Sequence, residues 1–278
     1  MNILLLGATG YLGKNIYYYL NRKHTVYCLT RNGIVRNVDD ISKTDIIYEN
    51  LEEAIDKVKF DWLINSVGAY DNNQNGYKNL IDANYYFPFS VFDITIKNGI
   101  KNYINIGTSL PSSVGLYSLI KNQLSEIMEG IALKEKINFA NLRLEMFYGG
   151  EYVGHKTFFD SIVSSMRKNE IIDVTDGEQR RDIIRVEDVV RLIETIINSD
   201  YISGYMNLDV GSGENAKMRE IEVFLKELCK SESVIRFGAI PKRENEPSTL
   251  SDISWYKNIG FQLQYSFWEG LEDYYGNK

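Results

Sequence analysis

Met1-Asn2-Ile3-Leu4-Leu5-Leu6-Gly7-Ala8-Thr9-Gly10-Tyr11-Leu12-Gly13 opens the chain, and the reading of this stretch decides the fold. Asn2 to Leu6 is an apolar run with the length of a buried strand. Glycines at positions 7, 10 and 13 then lead into a helical pattern from Lys14 to Leu20. A strand, a glycine turn and a helix start together make an anion site, because unpaired N–H groups point into the turn and the helix dipole favours negative charge. Gly7 permits the tight turn, Gly10 lets the backbone approach a pyrophosphate, and Gly13 lets the helix pack on the strand. Thr9, Tyr11 and Leu12 complete the set of residues expected to hold a dinucleotide there.

Outward from this corner, strand-like runs alternate with helical patterns. Thr25–Leu29, 46–48, Trp62–Val67 and Tyr103–Ile106 read as strands, with Leu51–Val58 and Leu80–Ile96 as helices between them. This alternation predicts an α/β fold with a doubly wound parallel sheet. After a helix at Leu119–Glu135 and a strand at Phe139–Leu144 the regularity fades, and Gly149-Gly150 marks the expected boundary. The plan is a dinucleotide-binding domain over residues 1–149 and a smaller C-terminal substrate-binding cap over 150–278. Part of the second half, near 182–210, is expected to return to the sheet. Helices are predicted at Phe158–Arg167, Val186–Ile197 and Arg219–Cys229.

Composition narrows the function classes. A net charge of −7 argues against a nucleic-acid surface, which needs clustered Lys and Arg. An anionic ligand therefore needs a local basic patch, and Gln179-Arg180-Arg181-Asp182-Ile183-Ile184-Arg185 is one. Cys28 and Cys229 make no disulfide framework, His24 and His155 are far apart, and no metal-ligand spacing exists. No apolar run has transmembrane length, and Ile3–Leu6 is too short and lacks the basic flank of a signal peptide. A cytoplasmic location without membrane contact is expected.

The second strand ends Thr30-Arg31-Asn32, without the acid that would bind the adenosine ribose hydroxyls. Arg31 offers a guanidinium suited in geometry and charge to a 2′-phosphate, so NADPH is expected over NADH. A Tyr with a Lys four positions later shares a helix face, and the ammonium is expected to draw the phenol's pKa towards neutrality. The spacing occurs at Tyr19/Lys23, Tyr117/Lys121, Tyr152/Lys156 and Tyr274/Lys278. Only Tyr117-Ser-Leu-Ile-Lys121 follows a strand that ends in hydroxyl residues, Thr108-Ser109, at the carboxyl edge where doubly wound sheets bind ligands.

With these residues the chain resembles the extended short-chain dehydrogenase/reductases. The resemblance rests on Gly7-x-x-Gly10-x-x-Gly13, Asn65-Ser66-Val67-Gly68-Ala69, Ser109 and Tyr117-x-x-x-Lys121. It continues through Leu142-Arg143, Phe147-Tyr148-Gly149, Arg181-Asp182-Ile-Ile-Arg-Val-Glu-Asp188, Asn207-Leu-Asp-Val-Gly211-Ser-Gly213, Asp252 and Gly260-Phe261. Ile104–Pro111, Leu142–Gly149 and Thr175–Asp182 are similar to the branch of CDP-paratose and CDP-abequose synthases, which reduce the 4-keto group of a CDP-linked deoxyhexulose with NADPH.

The resemblance implies a Rossmann domain and a set of roles. Tyr117 would protonate the keto oxygen, Lys121 would hold the nicotinamide ribose, and Ser109 would polarise the carbonyl, with Thr108 as second candidate. Ser66, Val67 and Gly68 would line the cofactor. Asn84 matches a family position that is either functional or structural. Arg181 and Arg243 match positions that grip the nucleotide diphosphate, and Met146 stands where many relatives have an Asn at the sugar site.

The 4,6-dehydratases of the family carry Asp-Glu just after the catalytic hydroxyl, where this chain has Leu110-Pro111, and the GDP-fucose-forming enzymes need a Cys that is absent there. The expectation is therefore NADPH-dependent reduction of a nucleotide-activated 4-keto-6-deoxy sugar in surface-polysaccharide synthesis. A 4-epimerase with retained NAD and a non-catalytic NADP(H)-sensing regulator are the alternatives. The partners implied are a nucleotide sugar and, by analogy, a second copy in a homodimer.

Overall fold

Ile3, Leu4, Leu5 and Leu6 have no solvent-accessible surface, the state of a strand covered on both faces of a parallel sheet. The computed structural model describes residues 1–30, 32–38, 46–70, 76–150, 157–242 and 245–276. The first elements are β1 (Asn2–Leu6), α1 (Tyr11–Leu20), β2 (Thr25–Thr30), β3 (Gly33–Val35), β4 (Ile46–Tyr48), α2 (Leu51–Lys57) and β5 (Trp62–Asn65). There follow α3 (Gly76–Ile81), a π-helical turn over Asp82–Tyr86, α4 (Phe87–Lys97), β6 (Asn102–Ile106), α5 (Leu116–Glu135) and β7 (Asn138–Leu144). The remainder is β8 (Met146–Tyr148), α6 (Phe158–Arg167), β9 (Ile172–Val174), β10 (Arg180–Arg185), α7 (Val186–Ile197) and β11 (Tyr205–Val210). β12 (Asn215–Lys217), α8 (Met218–Leu228), β13 (Ile235–Phe237) and α9 (Phe267–Gly276) complete it.

Two compact units result. The first holds Met1–Arg143 and Val190–Leu208, the second Leu144–Val189 and Asp209–Lys278. The division falls after Arg143 rather than at Gly149-Gly150, because β8 immediately pairs with β10 in a sheet of the second unit. The segment that returns is Val190–Leu208, shorter than 182–210.

The first unit is built on an eight-stranded sheet ordered β11-β7-β6-β5-β1-β2-β3-β4. β1 pairs in parallel with both β2 and β5, and β5–β6 and β6–β7 are parallel. β3 departs from the expected pattern: it runs antiparallel to β2 and to β4, separating two strands that would otherwise be neighbours. Its cause is local. Thr30 Oγ1 donates to Gly33 O at 2.8 Å, Thr30 and Gly33 pair across the reversal, and Gly33 adopts a positive φ of 125°. Arg31 lies outside the described residues. The core of this unit stacks Tyr103 on Phe139 with Phe92 edge-on to both, and Leu4, Leu63 and Leu124 are buried in the same cluster.

The second unit holds a three-stranded sheet β12-β10-β8, a pair β13-β9, and a core of Phe159, Met166, Ile183, Ile221, Leu225 and Leu271. Its polar centre is Asp182. The fully buried carboxylate accepts from Ser212 N and Oγ at 2.7 Å each, Gly213 N at 3.0 Å and Ser251 N at 3.1 Å. These bonds tie β10 to the Gly211-Ser-Gly213 turn and to Ser251, and so explain the Arg-Asp and Gly-Ser-Gly motifs as one structural knot. None of the described helices is long and apolar enough to cross a membrane.

Candidate active site

At the carboxyl edge of β1 the backbone is folded too tightly for side chains. Gly7 has φ +78°, and a Cβ there would stand 2.8 Å from the Ser66 carbonyl carbon and the Val67 nitrogen. A Cβ on Gly13 would stand 2.0 Å from the Gly7 oxygen, an approach no other residue tolerates. Gly10 N donates to Gly7 O at 2.9 Å, and α1 starts at Gly10 with no side-chain cap and no acidic residue in its first turn. Thr9 is exposed, Tyr11 half-buried and Leu12 buried. The uncapped N–H groups and the bare turn fit the pyrophosphate of a dinucleotide.

Against this corner lies Ser66–Ala69, a loop fixed at nearly every peptide. Ser66 Oγ donates to Leu6 O at 2.6 Å, and Val67 N donates to Asn65 Oδ1 at 3.1 Å. Val67 O accepts from Lys121 Nζ at 3.0 Å. Buried Asn84, in the π-helical turn, accepts from Ala69 N at 3.0 Å and donates to Ala69 O at 2.8 Å, which gives it a structural part.

Asn65 also begins a ladder of side-chain amides across the sheet: its Nδ2 donates to Asn105 Oδ1 at 2.7 Å, Asn105 to Asn141 at 2.8 Å, and Asn141 to Asn207 at 2.7 Å. The three inner rungs are buried and the last is exposed. Asn207 accepts in turn from Tyr205, whose hydroxyl is hydrogen-bonded to Ser125 on α5.

α5 thus presents Tyr117, Lys121 and Ser125 at intervals of four, the last two anchored on the first unit's sheet. Lys121 is buried, and loss of hydration lowers its pKa to about 8. Tyr117 is half-buried under the ring of Tyr70, at 4.6 Å between centroids and 28° between planes. Burial first, and then the neighbouring Tyr70 phenol, hold the Tyr117 phenol well above the ordinary tyrosine range. This corrects the sequence expectation. The Lys121 ammonium is turned to the Val67 carbonyl and does not draw the phenol towards neutrality.

Thr108 is buried, with its hydroxyl accepting from Leu110 N at 3.2 Å in a tight turn. Ser109 is half-buried and makes no hydrogen bond among the described residues. Asn122, beside Lys121, donates to Leu110 O at 3.0 Å and to Ser112 Oγ at 3.2 Å, fixing that turn to α5.

Of the expected substrate residues, Ser109 and Tyr117 belong to the first unit and Met146 and Arg181 to the second. Met146 is half-buried on β8. Arg181 on β10 is almost wholly buried, its two terminal nitrogens donating to Pro247 O and to the Glu246 carboxylate. Arg180 is held by Asn215, through Nε to Oδ1 at 2.8 Å and Nη2 to the backbone O at 2.9 Å. Arg243 and His155 lie outside the described residues. Sequence reasoning missed Tyr70, Asn122 and Ser125. A hydroxyl or amide one or four positions after Lys121 was a usable signal for the last two, and Tyr70 had none.

A model described as the NAD dependent epimerase/dehydratase family matches residues 3–208. CDP-abequose synthase from Salmonella typhimurium is 26% identical, over 98% of this chain and 96% of its own length. Among solved structures, UDP-glucose 4-epimerase from Thermotoga maritima with UDP-glucose has a TM-score of 0.79 at 18% identity, covering 99% and 97% of the two chains. The dTDP-glucose 4,6-dehydratase from Bacillus anthracis with NAD gives 0.77 at 16%, covering 99% and 95%. These structural likenesses speak to the fold.

Proposed function

The chain belongs to the NAD dependent epimerase/dehydratase family, and from that premise we propose that it reduces the C4 ketone of a nucleotide-activated 4-keto-6-deoxy sugar with NADPH. The likeness to CDP-abequose synthase along nearly its whole length supports a nucleotide-sugar substrate and a part in surface-polysaccharide synthesis.

Gly7, Thr9, Gly10, Tyr11, Leu12 and Gly13 would hold the pyrophosphate, with Ser66, Val67 and Gly68 along the cofactor and Arg31 on the 2′-phosphate. Bound there, the reduced nicotinamide supplies the hydride. Tyr117 gives its proton to the ketone oxygen as negative charge develops on it, and Ser109, whose hydroxyl is uncommitted among the described residues, donates to the same oxygen. Lys121 contacts the nicotinamide ribose and stays tied to Val67 O. Arg181, Met146 and Arg243 are the substrate-side residues.

One observation carries the reading. The turn beside the reactive phenol offers Thr108, Ser109, Leu110 and Pro111 but no carboxylate, and the phenol itself stands protonated at neutral pH. Epimerisation would start from the phenolate as a base, and dehydration would need an acid–base pair in the turn. The test is a panel of CDP-, dTDP- and GDP-4-keto-6-deoxy sugars with NADPH, following absorbance loss and product configuration. Reduction of one of them is expected. Tightly held NAD with sugar interconversion and no added cofactor would replace this reading with an epimerase.

A further inference from the structure

Tyr70 has no part in the roles above, yet its ring lies stacked on that of Tyr117. It follows directly on Ser66–Ala69, the loop pinned by Asn65, Lys121 and Asn84. Its position over the reactive phenol is therefore set by an anchored backbone. Tyr117 is half-buried, and a Cβ added at Gly68 would stand 3.7 Å from its hydroxyl, so the loop backbone flanks that oxygen. Tyr70, by contrast, is 66% exposed. Two phenols lie side by side, one carrying the reacting oxygen and the other reaching water.

Each reduction leaves Tyr117 as a phenolate that needs a proton before the next turnover. Of the donors around it in this unit, Val67 N is held by Asn65, Ala69 N by Asn84, and Lys121 keeps one N–H on Val67 O, while Tyr70 is the exposed side chain stacked on the phenol. We infer that Tyr70 is the relay that returns this proton, its O–H passing a proton to the Tyr117 oxygen and its own oxygen taking one from water. One solvent proton thus ends on the product hydroxyl per turnover, and the relay itself moves no electrons. The inference rests on the reduction proposed above and adds a residue to it. The stacked rings, 4.6 Å between centroids, are the contact that brings the two phenols together.

The test compares wild type with Tyr70→Phe, which keeps the stacked ring and removes the hydroxyl. Turnover is measured in H2O and D2O, with and without imidazole as an external proton donor. Separately, Tyr117 ionisation is followed without substrate by NMR of Cζ-labelled tyrosine, its resonance assigned by its loss in Tyr117→Phe. Tyr70→Phe is expected to bind NADPH as wild type does and to lose about tenfold or more in kcat. Its solvent isotope effect should rise, imidazole should recover part of the rate, and Tyr117 should ionise at lower pH. Wild-type turnover and isotope effect in Tyr70→Phe overturn the relay. So does a slow variant that imidazole does not rescue and whose Tyr117 titration is unmoved, since that is lost packing alone. If wild type reduces no keto sugar, the proposed reduction has failed, and an unmoved Tyr117 resonance in Tyr70→Phe would separately sink the coupling of the two phenols.

Discussion

A buried phenol and a buried amine four residues apart answer burial in opposite senses: Tyr117 keeps its proton and Lys121 sheds its own more easily. Tyr117→Phe removes the proton donor while preserving the ring against Tyr70. Turnover should fall at least about a hundredfold with NADPH affinity unchanged, as measured by steady-state rates and cofactor titration.

For Lys121 the folded value of about 8 lies below the 10.5 of a free lysine side chain. Below pH 8 both states are protonated and the native state bears the full cost of burying the charge. Between about 8 and 10.5 the unfolded chain binds more protons, so the stability tied to this group rises with pH, by about 3 kcal/mol in all. Lys121→Met should therefore be inactive yet more stable than wild type near neutrality, by about 3 kcal/mol less about 1 kcal/mol for the lost bond to Val67 O. That advantage should shrink towards about pH 10, as denaturant melts of both proteins at the two pH values would record. The pair itself was legible from the hydroxyl-ended strand before it. The direction of the Tyr117 shift was not, because it is set by burial and by Tyr70, a residue remote in sequence.

At the scale of elements, the ladder Asn65-Asn105-Asn141-Asn207 crosses four neighbouring strands and ends where Tyr205 meets α5. Asn105 uses one donor and one acceptor on buried neighbours, so removing it leaves two buried groups unpaired, whereas exposed Asn207 can be replaced by water. Asn105→Leu should cost about 3 kcal/mol and Asn207→Ala under about 1 kcal/mol, read from denaturant midpoints at constant slope. Equal costs at the two positions would mean that the rungs do not act through burial. In the sequence these asparagines are only polar interruptions of apolar strands, since register across the sheet aligns them and no local pattern does. The β2–β3 hairpin is the opposite case. Asn32-Gly33 before Ile34-Val35 is a local signal for a chain reversal, and an alternating βα pattern has no place for the extra antiparallel strand that follows it.

Over the whole molecule, the described residues proposed for the cofactor all fall in the first unit, and Met146 and Arg181, proposed for the sugar nucleotide, fall in the second. The order of motifs along the chain made the family legible from end to end. What each arginine touches was not legible, because Arg181 meets its partners, Glu246 and Pro247, only through the fold. That contact bears on its proposed role. A guanidinium already held by a carboxylate would have to exchange that partner for a diphosphate, and Glu246 would then weigh against substrate binding. If Arg181 grips the diphosphate, Arg181→Met should raise KM for the sugar nucleotide about tenfold or more and leave KM for NADPH unchanged. Glu246→Gln, which removes the competing charge, should then lower KM for the sugar nucleotide. If Arg181 only braces β10 against the 246–249 segment, both variants should lose stability without moving either KM, and the opposite signs expected of the two substitutions separate a ligand-binding guanidinium from a structural one.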